Sequence, residues 1–227
     1  MAVTGLLIVV DGVDSSGKET QVKEICQKLE KEGKKVKRIS FPNYTSDSSA
    51  LVKMYLAGEL GNDPKALDPY AISTFYAADR YVSYLTDWKK DLEEGTIIIA
   101  DRYVSSNMIH QAAKIHDAEE KKAFLTWLDN FEFEIYKLPR PNITVFLNMP
   151  VEYGAKLMAT RKNKITGKDK KDIHENDINY LEESYNNAME IAHNYGWNII
   201  NCVENNTIRT IDDISEEIFN LVKEAMQ

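Results

Sequence analysis

The chain has 227 residues, of which 43% are hydrophobic, enough for one well-buried core and short for two independent ones. Its formal net charge of −8 argues against broad nucleic-acid binding, which needs a cationic surface, so anionic ligands have to be held locally. No stretch reaches the roughly 18 to 20 apolar residues of a membrane span, and Cys26 and Cys202 sit in apolar periodic segments without metal-ligand spacing, as core residues of a reducing compartment do. A single domain over residues 1–227, cytoplasmic and without nucleic-acid or membrane partners, is expected.

The apolar stretch Gly5 to Val10 has no basic flank and runs into Asp11, which makes Leu6–Val10 a buried first strand rather than a signal peptide. Gly12-Val13-Asp14-Ser15-Ser16-Gly17-Lys18-Glu19-Thr20 follows, with the phosphate-loop spacing G-x-x-x-x-G-K. Its glycines permit tight turns in which successive N–H groups and the next helix N-terminus converge on phosphate oxygens. Lys18 adds a point charge at the β- and γ-phosphates, and Gly12 to Thr20 are the candidate ATP site. The residue after the lysine, usually a Mg2+-ligating Ser or Thr, is Glu19. Thr20 points about 100° away on a helix, so Glu19 is the candidate that holds Mg2+ with Asp101, directly or through water.

Helix Lys18–Glu32 places Val22, Ile25, Cys26 and Leu29 on one face, with Gly33 where a C-terminal cap belongs. A second strand spans Val36–Phe41, and a long helix is expected over Pro69–Glu94. The third strand, Thr96–Ala100, delivers Asp101 and Arg102 together at its carboxyl end. Buried hydrophobes followed by Asp is the Walker B arrangement for Mg2+, and Arg102 can fork onto a phosphate. Strand Ile143–Leu147 precedes a strongly basic run from Arg161 to Lys171 in an otherwise acidic chain. Composition alone makes this run, with Arg161, Lys162 and Lys164 among its cations, a solvated, mobile loop. Helix Ile173–Tyr195, strand Asn198–Cys202 and helix Ile211–Met226 complete the chain. Strands apolar on both faces and separated by helices imply an α/β fold: a five-stranded parallel sheet between helical layers, of the P-loop NTPase type. Ligands of such sheets bind at the carboxyl ends of the strands.

Asp101-Arg102-Tyr103-Val104-Ser105-Ser106-Asn107 resembles the D-R-Y/H-x-x-S-x motif of the thymidylate kinases. Gly12-Val13-Asp14 with Lys18 and Thr20-Gln21 is similar to that family's G-x-D-x-x-G-K-x-T-Q loop, and Phe41-Pro42 to the F-P that ends its second strand. Phe75-Tyr76-Ala77-Ala78-Asp79-Arg80 is similar to its F-x-x-x-R segment, and Lys171-Asp172-Ile173-His174-Glu175 to the junction of lid and following helix. The resemblance implies Tyr76 against the thymine face, Arg80 on a thymine carbonyl, and Asn107 and Gln111 on the base edge. It implies Asp14 on the deoxyribose 3′-hydroxyl and Arg102 on the dTMP phosphate, with Phe41, Pro42, Ser106 and His110 completing the dTMP site. The resemblance also implies a mobile lid at about residues 161–172 that closes over ATP, expels water and neutralises charge on the transferred group, with Arg161 foremost, and makes Lys18, Asp101, Arg102, Arg161, Lys162 and Lys164 the catalytic residues. The implied reaction is transfer of the γ-phosphoryl group of ATP to dTMP, giving dTDP and ADP for dTTP synthesis. A homodimer is implied, with the Pro69–Glu94 and Ser105–Ile115 regions as contacts.

Three positions depart from the family pattern. Tyr44 stands where some relatives carry an arginine for the monophosphate, His110 where many carry a tyrosine near the sugar 2′ position, and Ser15 where one subgroup carries a catalytic arginine. The alternatives are a kinase for another nucleotide or deoxynucleoside, a relative that binds without catalysis, or a nucleotide switch. Against the last, Asn163-Lys164-Ile165-Thr166 lacks the final Asp of the guanine-reading N-K-x-D motif.

Overall fold

A computed structural model describes residues 4–61, 63, 65–158 and 178–226. Five short strands form one parallel sheet, β1 (Leu7–Asp11), β2 (Val36–Ser40), β3 (Ile97–Asp101), β4 (Ile143–Asn148) and β5 (Asn198–Asn201), in the order β2-β3-β1-β4-β5. The described helices are α1 (Lys18–Lys31), α2 (Ala50–Leu56), α3 (Pro69–Ser83), α4 (Lys89–Glu93), α5 (Val104–His110), α6 (Ala118–Asp129), α7 (Val151–Met158), α8 (Ile178–Asn194) and α9 (Ile211–Ala225).

Alternation along β1 divides the core in two. Ile8 and Val10 pack with Val22, Ile25 and Leu29 of α1 and with Ile214, Ile218 and Val222 of α9. Leu7 and Val9 point the other way, into a cluster with Trp88, Tyr103, Phe124 and Leu128. Each such aliphatic side chain stabilises the fold by about 1.5–3 kcal/mol when fully buried, and burial on both faces is what makes these runs read as continuously apolar.

The expected strands appear with their ends shifted by one residue, which brings Asp11 and Asp101 inside β1 and β3, aligned through Val10↔Asp101. The expected helix Lys18–Glu32 stops at Lys31, with Glu32 as its C-cap and Gly33 at φ 75°. The expected helix Pro69–Glu94 ends at Glu93, with Glu94 as its C-cap, and is not uniform: α3 and α4 are joined by a π-helical turn over Tyr84–Trp88. Its wider turn lets Tyr84 and Trp88 both face the core, with ring centroids 4.7 Å apart. Asp68 caps α3, its Oδ1 accepting from Tyr70 N and Ala71 N at 2.7 and 3.0 Å. A second π-helical turn, Asn130–Ile135, extends α6. The described part of the expected Ile173–Tyr195 helix is α8. An unexpected two-stranded hairpin, β6 (Val203–Glu204) and β7 (Thr207–Ile208), turns at Asn205 and Asn206, whose φ angles of 49° and 59° suit a tight primed turn.

Candidate active site

The phosphate loop leaves β1 at Asp11 and enters α1 through Gly17, whose φ of 87° lies in the left-handed region that favours glycine. Gly12 is fixed by crowding instead, since a Cβ there would come within 2.6 Å of Ser16 Oγ and 3.0 Å of Leu147 O. Lys18 is buried and folds back over its own loop. Its Nζ donates to Gly12 O at 2.9 Å, Val13 O at 2.7 Å and Ser16 Oγ at 3.2 Å. Burial, and then the charge of Arg102, push the Lys18 amine down to about 7 against the pull of Asp14, Asp101 and Asp11.

Arg102 emerges from β3 with a left-handed φ of 70°, which turns its side chain back across the loop. Nη2 donates to Asp14 Oδ1 at 2.6 Å, and Nη1 to Ser106 Oγ at 3.3 Å and His110 Nε2 at 3.1 Å. A guanidinium has no acceptor, so this contact requires His110 Nε2 to be unprotonated. Burial opposes the charge on Arg102, but Asp14, Asp11 and Asp101 together outweigh it and hold the guanidinium above its ordinary range.

Asp11 is a site residue that the motifs did not single out. It is fully buried at the end of β1, accepts from Gly12 N at 2.8 Å, Ser105 Oγ at 2.6 Å and Ser106 Oγ at 2.8 Å, and lies 3.8 Å from Arg102 Nη1. The start of α5 is thereby clamped to the phosphate loop. Its one sequence signal was an acid ending an apolar run directly before the loop glycine. Asp101 is buried beside Lys18 and Arg102, and its carbonyl accepts from Phe41 N at 3.0 Å.

Beyond Arg102 opens a cleft. All ten residues expected to hold dTMP line it: Asp14, Phe41, Pro42, Tyr76, Arg80, Arg102, Ser106, Asn107, His110 and Gln111. Tyr44, Leu56 and Tyr103 complete the wall. Tyr76 meets Tyr55 edge to face at 6.5 Å, Asn107 Nδ2 donates to Ser73 O at 3.3 Å, and the Gln111 amide oxygen is buried without a hydrogen-bond partner among the described residues. Arg80 is almost wholly buried, 1% exposed. Its Nε donates to Glu132 Oε2 at 2.7 Å, its Nη2 to Glu132 Oε1, and its Nη1 to Tyr103 O at 3.3 Å. Glu132, like Asp11, carried no motif.

Glu19 is half exposed and forms an ion pair with Arg38 on β2 at 3.6 Å. Among the described residues, no group of three or more His, Cys, Asp or Glu side chains is arranged to hold a metal unaided, and no helix is long and apolar enough to cross a membrane. Arg161, Lys162 and Lys164, with the whole expected lid, lie outside the described residues.

The sequence profile of the family described as thymidylate kinase matches residues 10–214. The thymidylate kinase of Mycobacterium tuberculosis is 30% identical over 194 residues, covering 85% of this chain and 87% of that one. A probable thymidylate kinase of Thermococcus gammatolerans is 27% identical over 225 residues, 98% of each chain. The solved structure of thymidylate kinase from Candida albicans is similar with a TM-score of 0.70, spanning all of this chain and 96% of that one at 22% identity, a likeness of fold. The chain belongs to the thymidylate kinase family, and its reaction is the ATP-dependent phosphorylation of dTMP to dTDP.

Proposed function

We propose that dTMP lies in the cleft with its base at Arg80 and Tyr76 and its phosphate at Arg102, facing ATP held by Gly12 to Thr20. The observation that carries this reading is the convergence of ten chemically suited residues from four separate segments on one cleft, with a charged arginine at the end nearest the phosphate loop. Tyr76 stacks on thymine, Asn107 and Gln111 pair with its edge, and the buried Gln111 acceptor finds its partner there. Phe41 and Pro42 pack beside the base, while Ser106 and His110 support Arg102. Asp14 passes from Arg102 to the 3′-hydroxyl as the substrate phosphate takes the guanidinium fork.

An oxygen of the dTMP phosphate, already ionised near neutral pH, attacks the γ-phosphorus; the bond to the β,γ-bridging oxygen breaks and its electron pair leaves on ADP. No general base is required, so alignment and charge neutralisation carry the catalysis. Lys18 and Arg102 supply positive charge from the fold, and Arg161, Lys162 and Lys164 supply it from the proposed lid. When bound, Mg2+ would neutralise further charge on the transferring phosphates. Asp101, buried at a strand end, would hold that cation through a hard carboxylate oxygen, and Glu19 would join it on leaving its Arg38 partner. The enzyme is proposed to be a single-domain cytoplasmic homodimer without nucleic-acid partners.

Steady-state ADP formation with Mg2+-ATP, compared across dTMP, dUMP, UMP, dCMP and thymidine, tests the site. A dTMP preference in kcat/KM is expected, and its loss in a Tyr76→Ala or Arg80→Met variant. Higher efficiency with dCMP or thymidine would overturn the base assignment.

A further inference from the structure

We infer that Glu132 is a positioning and specificity-determining residue for the base end of the cleft, acting through Arg80. This rests on the proposed placement of dTMP. Glu132 is 0% exposed and reaches Arg80 from the π-helical turn Asn130–Ile135, a distortion often found at functional sites. Both its carboxylate oxygens are engaged by the Nε and Nη2 edge of the guanidinium, a two-point contact that fixes the plane of the group as well as its position. Tyr103 O takes one N–H of Nη1. Of the five guanidinium N–H groups, one on Nη1 and one on Nη2 are left for a ligand in the cleft that Arg80 lines.

Two consequences follow from chemistry. The remaining N–H groups only donate, so this end of the cleft accepts a carbonyl, as at C4 of thymine or uracil, and disfavours an amino group, as at C4 of cytosine. A bare buried guanidinium would also attract phosphate. Paired with Glu132 it offers directional donors without net charge, and Arg102 and Lys18 are left as the anion-binding end. The pair therefore sets which way round a nucleotide lies. Glu132 is taken up on Arg80 and is not offered to a cytosine amino group as an acceptor.

The test compares Glu132→Gln, Glu132→Asp, Arg80→Met and the double variant Arg80→Met/Glu132→Met by steady-state kinetics. For Glu132→Gln the expectation is a KM for dTMP raised about tenfold, the value of one lost charge-assisted hydrogen bond, with kcat and the KM for ATP changed far less. The dTMP over dCMP efficiency ratio should fall, inhibition by inorganic phosphate against dTMP should strengthen, and Glu132→Asp should restore part of the effect. A merely structural glutamate would lower stability without moving the ratio or the phosphate inhibition. In the double variant, apolar replacement of both partners spares the fold an unpaired buried charge, and its KM for dTMP should match that of Arg80→Met alone. That match supports action through Arg80 even where Glu132→Gln does not fold. A double variant clearly worse than Arg80→Met, or an unchanged KM and base ratio in Glu132→Gln while Arg80→Met raises the KM, overturns the role of Glu132 and leaves the cleft assignment standing. An unchanged KM for dTMP in Arg80→Met overturns the base placement itself, and the inference with it.

Discussion

At the scale of single residues, the phosphate-loop lysine couples nucleotide binding to protons. Lys18 is held down to about 7 chiefly by burial, so at pH 8 it is largely neutral, and the phosphates of ATP will draw it back to the charged form. ATP binding is expected to take up about one proton at pH 8, seen as a dependence of the calorimetric enthalpy on buffer ionisation enthalpy and absent in Lys18→Met. The same depression means that between about pH 7 and the ordinary 10.5 of lysine the unfolded chain binds more protons than the folded one, so this group's contribution to stability grows as pH rises through that window. Metal use gives a second expectation: Glu19→Ser raises the Mg2+ concentration for half-maximal rate severalfold and Asp101→Asn raises it more. An unchanged Mg2+ dependence in Glu19→Ser would leave the cation to Asp101 alone. Lys18 and Arg102 were legible in the sequence because their chemistry is tied to a short, fixed spacing and a strand end, whereas the cleft residues were reached through the family resemblance of their segments. Asp11 and Glu132 were not, because their partners Ser105, Ser106 and Arg80 come from distant parts of the chain and only folding brings them together.

At the scale of elements, the joint between loop and first helix is the most sensitive to backbone change. A Cβ at Gly17 would meet nothing within 4 Å, so the cost of Gly17→Ala is conformational: about 1–2 kcal/mol for a left-handed L-residue, a fall in Tm of about 2–8 °C for a chain of this size. Thermal unfolding measures it directly. Relief of the strain by moving φ to negative values would instead keep Tm and rearrange the N–H groups facing ATP, read as a raised KM for ATP. The central strands β1 and β3 were legible because burial on both faces leaves an almost uninterrupted apolar run. The π-helical turns were not, because one extra residue in a turn barely disturbs a helical pattern. The β6–β7 hairpin escaped because two residues per strand are too few to show alternation, although its Asn-Asn turn was visible.

At the scale of the whole molecule, the alternation of strands and helices announced the sheet, while the order β2-β3-β1-β4-β5 depends on pairings that no local pattern encodes. Val82 is exposed just before the first π-helical turn and Leu85 on it, and Ile135 is exposed on the second; a tilted contact of Tyr81 with Tyr136, ring centroids 4.6 Å apart, brings these two segments together. This apolar surface is expected to bury itself in the proposed homodimer. Sedimentation at micromolar concentration should show a dimer, and Leu85→Glu, which would place an unpaired charge in the contact, should shift it towards monomer; a monomeric parent chain would remove the dimer. The central position of β1 also dictates the order in which the molecule can be built. Leu7 waits for Ile98 and Ile8 for Ile143, so the first strand to leave the ribosome is among the last to be enclosed. Such non-local closure slows folding, and a nascent chain halted short of β4 would carry the bare edge of β1 into the cell, where edge pairing between copies competes with completion.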